Sequence, residues 1–194
     1  VNPMCGSGTL AIEAALLARG IAPGLLREDF AFRRLREFDP AAWEAMRAEA
    51  RRAVLPAARA RIIATDHDPA ALEAARANAA AAGVEQDIEF GLCDFRDTPM
   101  PGEPGLVLVN PEYGQRLGDA AELGETYQGL GDFLKRSCAG WRAGIFTAAP
   151  ALAKRIGLRP ESKIPFWSAK LACTLLRYSL WQGPRKARDA GLRD

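Results

Sequence analysis

The sequence predicts an α/β fold, a mostly parallel sheet with helices on both faces, closed near its C-terminus by an antiparallel hairpin. Three observations predict it. Short apolar runs alternate with helix-period stretches along most of the 194 residues, the pattern of strand–helix–strand crossovers. Two β-rich stretches, 163–167 and 171–181, lie close enough to pair as a hairpin. The polar signatures Asn2–Gly8, Asp66, Asp94 and Asn110–Tyr113 all fall at carboxyl ends of predicted strands, where open α/β sheets bind ligands.

The first strand is largely missing from this reading. Val1 alone could belong to it, because Asn2-Pro3-Met4-Cys5-Gly6-Ser7-Gly8-Thr9 is already a Gly-rich turn of the kind that follows a buried strand. The chain therefore reads as opening inside its own first element. A helix follows over 9–19, with Leu10, Ala14, Leu17 and their neighbours supplying its apolar face. Residues 20–60 begin with the breakers Pro23 and Gly24 and continue as an Arg- and Ala-rich amphipathic stretch around Trp43, which predicts a helical insertion. Arg61–Thr65 predicts a buried strand ending at Asp66-His67-Asp68. Asp68 caps a helix that Pro69 starts and Gly83 closes. Strands are expected at 87–92, 106–109 and 141–147, and helices at 121–138 and 150–156. The run Leu106–Val109 is uninterrupted and apolar, as a strand buried on both faces requires. Residues 1–182 form the expected domain, and the polar stretch 183–194 is the expected tail.

Composition narrows the function. The chain is 48% hydrophobic and 26% charged, an ordinary globular balance, and it lacks the roughly 18 uninterrupted apolar residues of a membrane span. It opens on no secretory signal pattern. Cys5, Cys93, Cys138 and Cys173 form no Cys-x-x-Cys pair and His67 is the only histidine, so a zinc site or a disulfide framework is not expected. No metal is implied, the cysteines are expected as core fillers, and a reduced, cytoplasmic setting fits them. The net charge of +2 averages two unlike halves. Residues 1–97 carry 12 basic and 15 acidic side chains, residues 98–194 carry 14 and 9. Between Lys135 and Lys163 there are seven basic residues and one acid, Glu161, either a solvated basic face or a phosphate-contacting surface.

The glycines narrow it further. Gly6-x-Gly8-x-x-Ala11 matches a dinucleotide fingerprint, a weak signal when it stands alone. The acid expected about 20 residues on falls at Glu28 and Asp29, which follow no strand, while Asp66 does end one. A P-loop is excluded, since no Gly-Lys-Ser/Thr follows the glycines. What remains is a cofactor containing a nucleoside, with glycines near its backbone, an acid on its ribose and a second acid, Asp94, near its base. Asn110-Pro111-Glu112-Tyr113 then suggests the chemistry. Asn-Pro and Tyr-Gly also form ordinary turns. After a strand of a cofactor-binding sheet, however, an Asn oxygen and a nearby carbonyl can accept both hydrogens of a planar exocyclic amine and direct its lone pair at an electrophile. A neighbouring aromatic ring can stack on an unstacked base.

With those residues in place, the chain resembles the bacterial 23S rRNA guanine-N2 methyltransferases, S-adenosylmethionine-dependent enzymes of the Rossmann-like class usually joined to an N-terminal THUMP domain. The resemblance is carried by PMCGSGTLAIEAALLARGIAPGL, by the insertion with FAF and Trp43, and by TDHDPAALEAARANA, NP-x-YG-x-RLG and LKRSCAGWRAGIFT. It implies a three-layer sandwich, transfer of a methyl group to the N2 amine of a guanine in large-subunit rRNA, and a THUMP-type RNA-binding partner domain upstream. It also implies that Gly6, Ser7 and Gly8 line the methionine and ribose part of the cofactor, with Asn2, Pro3 and Cys5 among the cofactor-binding residues. Asp66 would hold the ribose with His67 at the rim, Asp94 would bond the adenine amine with Phe95 beside the ring, and Asn110 would reach the cofactor as well. Asn110, Pro111 and Tyr113 would position the guanine. Two positions depart from the family pattern: Asn2 replaces an aspartate, losing a charge, and Glu112 replaces a proline, freeing a φ angle and adding a charge. Both predict weaker activity.

The alternatives are a tRNA guanine or DNA adenine amino-methyltransferase, a non-catalytic RNA-binding remnant, and a nicotinamide-dependent oxidoreductase. His67 reads as a rim or surface residue and not as a base. Trp43, Trp141, Trp167 and Trp181 read as packing residues.

Overall fold

A computed structural model of the chain describes residues 1–112 and 120–181. The proposed tail at 183–194 and Tyr113 lie outside the described residues. The chain divides into two compact units, Cys5–Leu92 and the remainder, namely Val1–Met4 with the chain from Cys93 onward. In order, the elements are β1 (Asn2–Pro3), α1 (Thr9–Ala18), α2 (Pro40–Arg52), β2 (Ile62–Asp66), α3 (Pro69–Ala81), β3 (Ile88–Leu92), β4 (Leu106–Val109), α4 (Ala120–Ser137), β5 (Arg142–Thr147), α5 (Pro150–Ala153), β6 (Ser162–Ser168) and β7 (Leu171–Ser179). The expected alternation is present, with boundaries within one or two residues for most elements. Strand β1 reaches two residues past Val1.

In the unit 5–92, β2 and β3 pair in parallel, Ile62 opposite Ile88, and every residue of β2 is buried. The core here is built from small side chains: Ala11, Ala15, Ala64, Ala75 and Ala79, with Ile12, Leu16, Leu72 and Val84. The buried face of α1 is Ala11, Ile12, Ala15 and Leu16, the neighbours of the expected Leu10, Ala14 and Leu17, so the face is turned from those three; Leu17 is 82% exposed. Packing selected the side with two alanines because it lets the helix approach most closely. The insertion is helical as expected, with 3₁₀ turns at Pro23–Leu26 and Ala31–Arg34 and then α2, and none of these three elements has a buried residue. Phe30, Phe32 and Trp43 pack together. Arg19 anchors the returning chain by donating to the Leu55 carbonyl at 3.0 Å and pairing with Asp87 at 3.4 Å.

In the other unit, β4 and β5 pair in parallel, β5 pairs antiparallel with β7, and β7 with β6. This is the expected closing hairpin. Val1 lies along β4: its nitrogen donates to the Leu106 carbonyl and its carbonyl accepts from Leu108. The core is aromatic, with Phe95, Tyr127, Phe133, Trp141 and Tyr178 around Val107, Leu130, Leu134 and Ile145. Each large apolar side chain buried there contributes about 1.5–3 kcal/mol. Cys5, Cys138 and Cys173 are buried as expected of core fillers, and Cys93 is half-buried. Trp141 is a core residue. Trp167 and Trp181 are not; they are 73% and 66% exposed.

Candidate functional site

Within the unit 5–92 the Gly-rich turn is held by its own backbone. Cys5 N–H donates to the Thr65 carbonyl at the end of β2, and Gly8 N–H returns to the Cys5 carbonyl, both at 2.9 Å. Gly6 N–H donates to Asp66 Oδ2 at 2.8 Å, and Asp68 N–H donates to Oδ1 of the same carboxylate at 3.0 Å. Asp66 is only 7% exposed, so its charge is stabilised by these amides. It thus ties the turn to the end of β2, and each oxygen keeps a further lone pair. The Asn78 side chain donates to the Ser7 carbonyl at 3.0 Å. Asp68 caps α3 through Ala70 N–H, as expected.

The two glycines differ in what they allow. Gly8 precedes α1 at φ 84°, and a Cβ there would stand 2.9 Å from the Cβ of Ala75; only glycine permits that approach. Gly6, at φ 54°, would meet nothing within 4 Å, so the space above it is open. No side chain caps the N-terminus of α1, which leaves its amide dipoles free for a polar ligand. The Cys5 thiol is pushed up to about 11 by burial and then by the Asp66 charge, so it stays neutral and is no nucleophile near neutral pH. His67 is 76% exposed, 3.6 Å from Asp66.

The other predicted residues belong to the second unit. Asn2 is 4% exposed. Its Nδ2 donates to the Leu108 carbonyl at 2.8 Å, while its Oδ1 is buried without a hydrogen-bond partner among the described residues. A buried, unmatched acceptor is costly to a fold, and it suits a cationic donor such as an ammonium group. Asp94 accepts from Arg96 N–H at 2.9 Å and from Arg96 Nη1 at 3.1 Å. The Arg96 guanidinium lies 4.4 Å over the Phe95 ring, and Phe95, 7% exposed, meets Phe133 edge-on. Gly129 of α4 leaves room for the guanidinium, since a Cβ there would fall 2.6 Å from Arg96 Nη2. At the carboxyl end of β4, Asn110 is exposed, Pro111 is fully buried and Glu112 is exposed. A buried proline there seats the loop and leaves the asparagine presented outward.

Sequence reasoning missed Asn78 and Arg96. Asn78 sits in a helix 71 residues from its partner Ser7, so no local pattern marks it. Arg96 had a local signal, an Asp-x-Arg turn in which the aspartate accepts from the residue two positions on.

Residues 1–177 match the family described as RMKL-like, methyltransferase domain. The ribosomal RNA large subunit methyltransferase K/L of Pseudomonas paraeruginosa (strain DSM 24068 / PA7) is 45% identical over 181 residues, 90% of this chain and 25% of that protein. The chain thus spans about a quarter of the length of such curated relatives. Among solved structures, a possible methylase from Clostridium difficile 630 superposes with a TM-score of 0.84 at 31% identity, over 95% of this chain and 48% of the other. A putative methyltransferase complexed with SAH, SMU.472, gives 0.82 at 28% identity, over 95% and 48%.

Proposed function

Because the chain belongs to the RMKL-like methyltransferase-domain family, we propose that it is the methyl-transfer part of a longer RNA-modifying enzyme. The reaction moves a methyl group from S-adenosylmethionine to the exocyclic N2 amine of a guanine in 23S rRNA, and an upstream THUMP-type domain supplies most of the RNA affinity. The observation that carries this reading is the outward-facing Asn110 on a fully buried Pro111 at the carboxyl end of β4.

The residues fit the cofactor. The open space at Gly6 and the uncapped end of α1 suit the methionine part. The unmatched Oδ1 of Asn2 suits an ammonium hydrogen. The spare lone pairs of Asp66 suit ribose hydroxyls, with His67 at the rim, and the exposed carboxylate of Asp94 suits the adenine amine, with the Phe95 ring beneath Arg96 as its support. When bound, S-adenosylmethionine supplies an electrophilic methyl group. The chain's contribution is orientation: Asn110 Oδ1 and a backbone carbonyl of its loop accept the two amine hydrogens, and Tyr113 stacks on the base. No strong general base is needed, since a methylated ammonium is acidic enough to lose its proton to water.

Calorimetry with S-adenosylhomocysteine and transfer of tritiated methyl groups to 23S rRNA, bulk tRNA and DNA test the reading. Binding in the micromolar range and transfer to rRNA are expected. No detectable binding would remove the cofactor assignment. Transfer to tRNA or DNA alone would move the substrate, and RNA binding without transfer would make the chain a non-catalytic remnant.

A further inference from the structure

A cavity lies in the unit that carries Asn110. It occupies about 290 Å³ on one face of the hairpin sheet, between β5, β7 and the short segment 150–160. Its floor is set by register. Thr147 stands opposite Thr174 and Ile145 opposite Leu176 on β5 and β7, and Lys163 of β6 stands opposite Leu176, so these side chains share a face. Pro150 and Pro160 supply apolar walls and Lys154 stands with Lys163 at the lining. No acidic residue lines the cavity. Both lysines are exposed, and neither makes an ion pair among the described residues.

Two further observations point to a ligand. The Tyr178 side chain lines the cavity although the residue is 3% exposed. Burial pushes that phenol up to about 12, so it keeps its proton and can donate. The cavity also has a meaningful address. It opens beside Thr147 at the carboxyl end of β5, and β5 is the direct parallel neighbour of β4, Val109 lying opposite Ile145. The Asn110 loop is therefore one strand away.

We propose that this cavity is a subsite for one unpaired nucleotide of the substrate RNA flanking the target base, which rests on the RNA-methylation reading above. The base lies on Leu176 between the two prolines and meets the hydroxyls of Tyr178 and Thr174, while Lys154 and Lys163 contact the adjoining phosphates. The volume, at the small end of ligand pockets, suits a single base. A base of duplex RNA could not enter, since its faces are already stacked. Of the seven basic residues between Lys135 and Lys163, these two are the ones at this cavity.

The test is fluorescence anisotropy with a labelled single-stranded 12-nucleotide RNA of mixed sequence and this chain, at several salt concentrations. Lys154→Glu with Lys163→Glu is expected to weaken binding at least tenfold at low salt and to lower the salt slope by about 1.4, two phosphate contacts on a single strand. Thr174→Trp, which fills the cavity and leaves the charges, is expected to weaken binding about fivefold with no loss of salt slope. S-adenosylhomocysteine affinity is expected to stay unchanged in all variants, which also reports that they fold. Unchanged RNA affinity and slope in the double variant would overturn the subsite. So would guanosine monophosphate binding here while the oligonucleotide does not. The two readings can fail separately. RNA bound through these lysines without methyl transfer would remove the activity and leave the subsite; transfer to rRNA with the same KM in the double variant would do the reverse.

Discussion

The two units solve opposite packing problems. Around β2 the core consists largely of alanines, and Gly8 would touch Ala75 if it carried one more carbon. Around β4, β5 and β7 the core is aromatic, with five rings among its members. The difference follows what each unit presents. The first offers backbone amides, at Gly6 and at the end of α1, beside the Asp66 carboxylate that holds the turn, and these are positioned only if helices and strands approach closely. The second offers side chains, at Asn2, Asp94, Asn110 and the lysines of the further cavity, which need a stiff floor and not a close backbone.

The comparison can be broken by experiment. Leu134 is fully buried in the aromatic core, and Leu134→Ala is expected to cost about 2–5 kcal/mol in urea unfolding while leaving S-adenosylhomocysteine affinity within about twofold. If that affinity falls with stability, the division between the cores is wrong. Asp66→Asn removes the charge that accepts from Gly6 and Asp68. A loss of about 1.5–3 kcal/mol in S-adenosylhomocysteine binding is expected, read by calorimetry. Ala75→Leu overpacks the alanine core against Gly8 and is expected to cost about 1–3 kcal/mol. Unlike Leu134→Ala, it should also weaken that binding severalfold, and the ratio of the two effects measures how tightly turn and core are coupled.

Alkaline pH acts on both cores. Burial raises Cys5 to about 11 and Cys138 and Tyr178 to about 12, from ordinary values near 9 to 10. A raised folded value stabilises the neutral form. Stability is therefore full below about pH 9 and declines as pH rises through 9 to 12, which Tm measurements across that range will show. Iodoacetamide should correspondingly label the half-buried Cys93 before Cys5 at pH 8. The smallest effect is expected at Glu112, which is exposed beside the buried Pro111. Glu112→Pro should raise methyl transfer a fewfold by stiffening the loop and removing a charge, and an unchanged rate would show that Glu112 is no handicap.

What the sequence determined by itself is local. Strands and helices are encoded in the period of apolar residues, and punctuation by Pro69, Gly83 and Asp68 set the ends of α3. The turn at Gly6–Gly8 and the Asn110 loop were visible as motifs because their glycines, proline and polar residues are contiguous. What the tertiary structure decided depends on residues far apart in the chain. It chose the alanine side of α1 over the side with Leu17, because close approach to β2 counts for more than the hydrophobicity of one exposed leucine. It engaged Asp66 with Gly6, sixty residues away, and Asn78 with Ser7. It left Trp167 and Trp181 uncovered, and it assembled a cavity from Thr147, Lys154, Lys163, Thr174 and Tyr178. Periodicity records which face of an element is apolar; only packing decides which partner meets that face and which polar atoms are left facing a space.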